Sequence, residues 1–116
     1  MSEVSFADFK KNELRVAKIL EVTEIPGADR LWKLRVDVGT ETKEIVAGIK
    51  AFYSPQELLG KSVIVVNNLA PSVIRGVESR GMLLAASVKG GPGENDGPRL
   101  VLITLDREMP AGTPVG

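Results

Sequence analysis

From Leu31 to Val38 the chain alternates without a break. Trp32, Leu34, Val36 and Val38 fall on one side, and Lys33, Arg35 and Asp37 on the other. Successive side chains of a strand point to opposite faces, so this pattern predicts a half-buried strand. Two cations then stand side by side on its open face. Upstream, Glu13 to Val22 is rich in Val, Ile and Leu with interspersed charges and predicts a long first strand. The Pro26-Gly27 pair marks the turn between the two. Gly39-Thr40-Glu41 turns the chain into a third strand, Thr42 to Ile49. Ser5 and Asp8 have capping-box spacing, which predicts a helical turn from Ser5 to Lys11. Ser54-Pro55-Gln56-Glu57 is a second capping box, with proline at the first helical position and Gly60 as the stop. Ser62 to Asn67 and Met82 to Val88 are near-continuous apolar runs, read as buried strands. Gly90 to Pro98 reads as a flexible loop, Leu100 to Leu105 as the last strand, and Met109 to Pro114 as an extended tail.

Three β segments, one short helix and further β segments give the element order of an OB-fold. The expectation is therefore an all-β, five-stranded Greek-key barrel with one short helix after strand 3 and small N- and C-terminal extensions. An SH3-like barrel or small sandwich has a similar strand count, but the helix after the third strand favours OB. One domain covers residues 1–116, and at this length about 65% of the unfolded surface can be buried without a staple.

Composition narrows the chemistry. The chain has no Cys and no His. This removes disulfides, thiolate catalysis and common zinc sites, and with them the usual general base. The expectation is a non-enzyme without metal or cofactor. No apolar run approaches the ~20 residues of a membrane helix, and the N-terminus has no secretory h-region, so a cytoplasmic protein is expected. Fifteen basic residues balance fifteen acidic ones. A charge-driven nucleic-acid coat is disfavoured, yet from Lys61 to Lys89 the only acid is Glu78 among Lys61, Arg75, Arg80 and Lys89. A local basic patch remains open to a neutral chain.

The segment Asn67 to Ala86, NNLAPSVIRGVESRGMLLAA, carries the most chemistry. Polar and charged groups on a strand connection are where small β domains keep binding sites. Arg75 and Arg80 can pair phosphates or lie on a base, and Asn68 offers both donor and acceptor. The alternative is a surface hairpin with one Arg–Glu pair to Glu78. Lys33 and Arg35 likewise either meet a ligand or form a solvated strand face. Gly76 to Gly81 resembles a nucleophile elbow except that Val77 stands where glycine is required, and no His could activate Ser79. Glu94, Asn95 and Asp96 form at most a weak cation site. Few aromatics disfavour a single-strand coat and suggest recognition of a shaped RNA through a limited patch.

The chain resembles the tRNA-binding OB domain found in methionyl-tRNA synthetases, in stand-alone tRNA-binding proteins and in CsaA-type chaperones. The resemblance runs through Ala28-Asp29-Arg30-Leu31, Ile45-Val46-Ala47-Gly48-Ile49 and Asn68-Leu69-Ala70-Pro71. It is most specific from Arg75 to Ala86. It implies non-catalytic, shape-directed tRNA binding, with Lys33, Arg35, Asn68, Arg75, Ser79, Arg80 and Met82 as contact residues. An aminoacyl-tRNA synthetase is an implied partner, in which case the domain acts in trans as a stand-alone module. A peptide-binding export chaperone is the alternative. The resemblance also implies a homodimer built on the terminal extensions, where Phe6, Phe9 and Met109 lie. Ala70, Ser72, Val73 and Lys43-Glu44 stand where relatives often carry more positive charge, so weak, salt-sensitive binding is expected.

Overall fold

A computed structural model describes residues 2–90 and 97–116. Most of the Gly90–Pro98 loop, and the Glu94–Asp96 group within it, lie outside the described residues. Among these described residues, two one-turn helices, α1 (Phe6–Phe9) and α2 (Pro55–Leu58), are set among ten strands. These are β1 (Leu14–Glu24), β2 (Trp32–Asp37), β3 (Thr42–Ala47), β4 (Ser62–Val66), β5 (Ser72–Ile74), β6 (Val77–Ser79), β7 (Met82–Leu83), β8 (Ala85–Val88), β9 (Arg99–Leu102) and β10 (Pro114–Val115).

The main sheet has the order β3-β2-β1-β4-β7, antiparallel throughout, with β10 added to β1. β1 serves two neighbours in sequence. Leu14 to Lys18 pair with β4, and Lys18 to Glu24 pair with β2. The register shifts between Ile19 and Glu21, and such a bulge bends and twists a strand enough to curl its sheet. β3 is thereby brought back against β6 and β7. The Arg80 N–H donates to the Glu44 carbonyl at 2.9 Å across this seam. The result is a partly open, all-β barrel of five principal strands, the OB architecture expected from the element order.

The core follows the alternation read from the sequence. Trp32, Leu34 and Val36 point inward with Ile19, Ile45, Leu58 and Val63. Burying each such side chain contributes roughly 1.5–3 kcal/mol relative to exposure. Trp32 is 6% exposed and donates its indole N–H to the Tyr53 carbonyl at 2.8 Å, which satisfies the polar end of a core ring. All five residues of β4 are buried, as its continuous apolar run requires. Both capping serines accept from the backbone three residues on, and the box at Ser54 and Glu57 is complete.

Several boundaries differ from the sequence reading, and β3 ends at Ala47, short of Ile49. β1 runs to Glu24, beyond Val22. The Met82–Val88 run is two strands because it changes partner at Leu84, whose N–H extends the β7 register to the Ile64 carbonyl while its own carbonyl accepts from Ile103 in line with the β8–β9 ribbon; β8 is exposed along its length, not buried as expected. The last long strand is Arg99–Leu102, one residue earlier at its start in the β8–β9 ribbon (Arg99 pairs with Val88) and ending before Ile103, whose N–H donates to the Leu84 carbonyl. The tail is strapped to the body: β10 pairs with Leu14 and Arg15, and Gly112 packs its backbone on Gly39.

Candidate nucleic-acid interface

The outward face of β1, β2 and β3 carries a cleft of about 410 Å3. β2 contributes Lys33 and Arg35 to it, as the even–odd alternation requires once Leu34 and Val36 are buried. Glu21 and Thr23 come from β1, and Thr42 and Glu44 from β3. Glu78 and Arg80 close the far wall, because the seam hydrogen bond pins the end of β6 beside Glu44.

The β5–β6 hairpin turns on Arg75 and Gly76, with φ of 52° and 79°. Two positive φ values across a two-residue loop make a type I′ turn, the geometry that matches strand twist. Arginine rarely takes such a φ, and here it leaves the Arg75 side chain exposed at the hairpin tip, outside the cleft lining. Ser79 is 4% exposed, and its hydroxyl accepts from the Val46 N–H at 3.0 Å. It anchors the hairpin to β3.

The cleft is charge-compensated. Arg35 lies opposite Glu21 on one neighbouring strand and Glu44 on the other. It bonds Glu21 at 3.3 Å, while Lys33 reaches Glu44 at 3.6 Å. Arg80 pairs with Glu41 at 3.3 Å and lies 3.9 Å from Glu78. These side chains remain between a third and two-thirds exposed, so each pair is worth roughly 0–1 kcal/mol. An incoming ligand can displace them at small cost.

The remaining expected contact residues lie elsewhere. Asn68 is used at both ends of its amide: Oδ1 accepts from the Glu13 N–H at 2.8 Å and Nδ2 donates to the Lys11 carbonyl at 2.7 Å. It ties the N-terminal segment to the end of β4. Met82 is half exposed on β7, opposite Val66. The residues the sequence reading missed are the acids. Glu21 and Glu44 become cleft partners only through cross-strand register, although their polar positions on β1 and β3 were a usable signal, and Glu41, in the turn before β3, reaches Arg80 from outside the cleft lining.

A second polar cluster gathers at the other end of the sheet. Asn67 Nδ2 and Arg15 Nε donate to Glu13 Oε1 at 3.0 and 2.9 Å. These bonds, Asn67 first, hold the Glu13 carboxyl below its ordinary value. Lys43 is 8% exposed and donates to the Asn67 carbonyl at 2.8 Å, so a cation on the alternating pattern of β3 is internal. Among the described residues, no group of three or more metal-ligating side chains gathers and no helix is long and apolar enough to cross a membrane.

A sequence model of the family described as "Putative tRNA binding domain" matches residues 14–114. The chain belongs to this tRNA-binding domain family. Methionine–tRNA ligase of Thermococcus kodakarensis is 48% identical over 112 residues, covering 97% of this chain but 14% of the ligase. The chain thus spans about a seventh of the length of that relative. The crystal structure of a MetRS-related protein from Pyrococcus horikoshii superposes with a TM-score of 0.85 at 35% identity, covering all of both chains. The chaperone CsaA from Bacillus anthracis superposes with a TM-score of 0.79 at 28% identity, over 99% of this chain and all of that one. The domain is similar to synthetase C-terminal regions and to whole small proteins alike.

Proposed function

We propose that the domain binds tRNA by shape, without catalysis, and serves an aminoacyl-tRNA synthetase such as methionyl-tRNA synthetase, either in trans or as part of it. The observation that carries this is the meeting of Lys33, Arg35 and Arg80 on one cleft, on a chain of the tRNA-binding domain family. Two distant stretches of sequence supply these cations. Arg75 at the hairpin tip extends the surface, and Met82 lies on the strand that follows. Ser79 and Asn68 act by holding the hairpin and the N-terminal segment in place. Cationic contacts of this kind hold a folded RNA chiefly by its shape and backbone.

A homodimer fits the exposed N-terminal helix. α1 buries none of its own residues, and Phe6 is 77% exposed, so its rings are left for a partner surface and do not cover the barrel. Two copies would double the cationic face and gain avidity on one RNA.

The test is a titration with total tRNA at two salt concentrations, against duplex DNA of equal length. Arg75→Ala with Arg80→Ala should weaken tRNA binding at every salt and flatten the log–log salt slope by about one per cation removed. Unchanged affinity would remove these arginines from the interface. The export-chaperone reading is favoured by the CsaA likeness and by exposed Val73, Val88 and Val101. It requires suppression of aggregation of an unfolded client, and failure to bind any tRNA would shift weight to it.

A further inference from the structure

We propose that the β1–β3 cleft is a nucleobase pocket that takes an unpaired guanine, with its carboxylates as readers of the base. The inference deepens the RNA-binding reading of the same face and rests on it.

A groove that only tracks phosphates should present cations alone, because a phosphate offers acceptors and every nearby carboxylate repels it. This cleft is built otherwise. Lys33, Arg35 and Arg80 share it with Glu21, Glu44 and Glu78, sign for sign. The mixing is a matter of register and recurs on both sides of β2, since Arg35 stands directly between Glu21 and Glu44. The wall thus offers a forked donor flanked by two pairs of acceptor oxygens. Its volume of about 410 Å3 falls within the range of roughly 300–1,000 Å3 usual for small-molecule sites. A flat heterocycle fits such a space better than a bare phosphate group does.

Guanine is the base that matches this wall on both counts. Its N1–H and N2 amino group donate side by side, which suits a carboxylate, while O6 and N7 accept, which suits a guanidinium. Uracil presents one N–H between two acceptors. Adenine and cytosine have an amino group but no second adjacent N–H. Bases splayed from RNA loops are commonly held by such edge bonds with an arginine plane stacked on the ring. The carboxylates are exposed enough to exchange a protein cation for a base donor.

The experiment titrates GMP, IMP, AMP and UMP into isotope-labelled protein, with total tRNA measured in parallel, for the wild type and for Glu44→Gln. The expected result is that GMP shifts the amide signals of Lys33, Arg35 and Glu44. It should bind at least several-fold more tightly than UMP, and more tightly than IMP, which lacks the N2 amino group. Glu44→Gln should erase that preference and weaken tRNA about tenfold, with the salt slope unchanged. Equal binding of all four nucleotides, or of none, overturns the inference. So does a Glu44→Gln protein that binds tRNA more tightly with a steeper salt slope, for the carboxylate is then a counter-charge only. Wild-type protein that binds tRNA without base preference sinks the pocket and leaves tRNA binding standing. A preference for GMP without any tRNA binding does the reverse.

Discussion

Ser79 shows how one small side chain holds the candidate site together. Its buried hydroxyl satisfies the Val46 N–H on a strand edge that no neighbouring strand covers at that point. Ser79→Ala leaves that part-buried donor without its partner, which costs about 1 kcal/mol. Urea unfolding should report this loss. Binding should fall less than in an Arg80 variant, because Ser79 offers nothing to a ligand. Glu13 gives a pH signature at the same scale. Its folded pKa lies below the ordinary 4.5. The stability it contributes is therefore complete above about 4.5 and is lost as pH falls through the lower folded value. Acid unfolding of Glu13→Gln should show a weaker pH dependence across that window than the parent protein does. An identical profile would remove Glu13 from the acid response. The cleft cations were legible at this scale, since Lys33 and Arg35 follow from strict alternation. Their acidic partners were not, because which carboxylate faces Arg35 depends on register across three strands.

Among the elements, β2 was visible by its clean alternation and β4 by its continuous apolar run, and both serine caps identified their helices, whereas the Met82–Val88 run, read as one buried strand, is two with β8 exposed. The β5–β6 hairpin was harder to see. A type I′ turn usually announces itself by Asn-Gly or Asp-Gly, and here Arg75-Gly76 fills it. The tail was read as merely extended, because its two-residue pairing with β1 and its backbone packing are tertiary facts. Gly39 and Gly112 explain that packing. A Cβ at Gly112 would lie 2.7 Å from the Val38 carbonyl oxygen and 2.9 Å from Gly39 Cα. Gly112 also has a φ of 90°. Gly112→Ala should therefore loosen the strap from β1, detectable as faster amide exchange at Val16, whose N–H donates to Thr113 and whose carbonyl accepts from Gly112. Unchanged protection at Val16 would show that the strap bears no strain there.

For the whole molecule, zero net charge confines the proposed attraction to RNA to one face. About four cations are available there, counting Arg75, so the log–log salt slope should be about −3. A steeper slope would require phosphate contacts outside the cleft and hairpin. Assembly belongs to the same scale. Sedimentation should find a dimer that Phe6→Ser or Phe9→Ser weakens, and a monomer at all concentrations would leave those exposed rings without the partner assigned to them.

The proposed function places folded RNA on the cations of the β2 face. Its most direct test is the affinity for total tRNA of a Lys33→Glu, Arg35→Glu double variant, measured beside the wild type at low salt, with thermal unfolding as control. Both side chains point away from the core, but the new carboxylates lie beside Glu21 and Glu44, so the variant should unfold cooperatively at a somewhat lower temperature, while affinity should fall by more than about tenfold through lost contacts and added repulsion. A well-folded double variant that binds tRNA as tightly as the wild type would contradict the account.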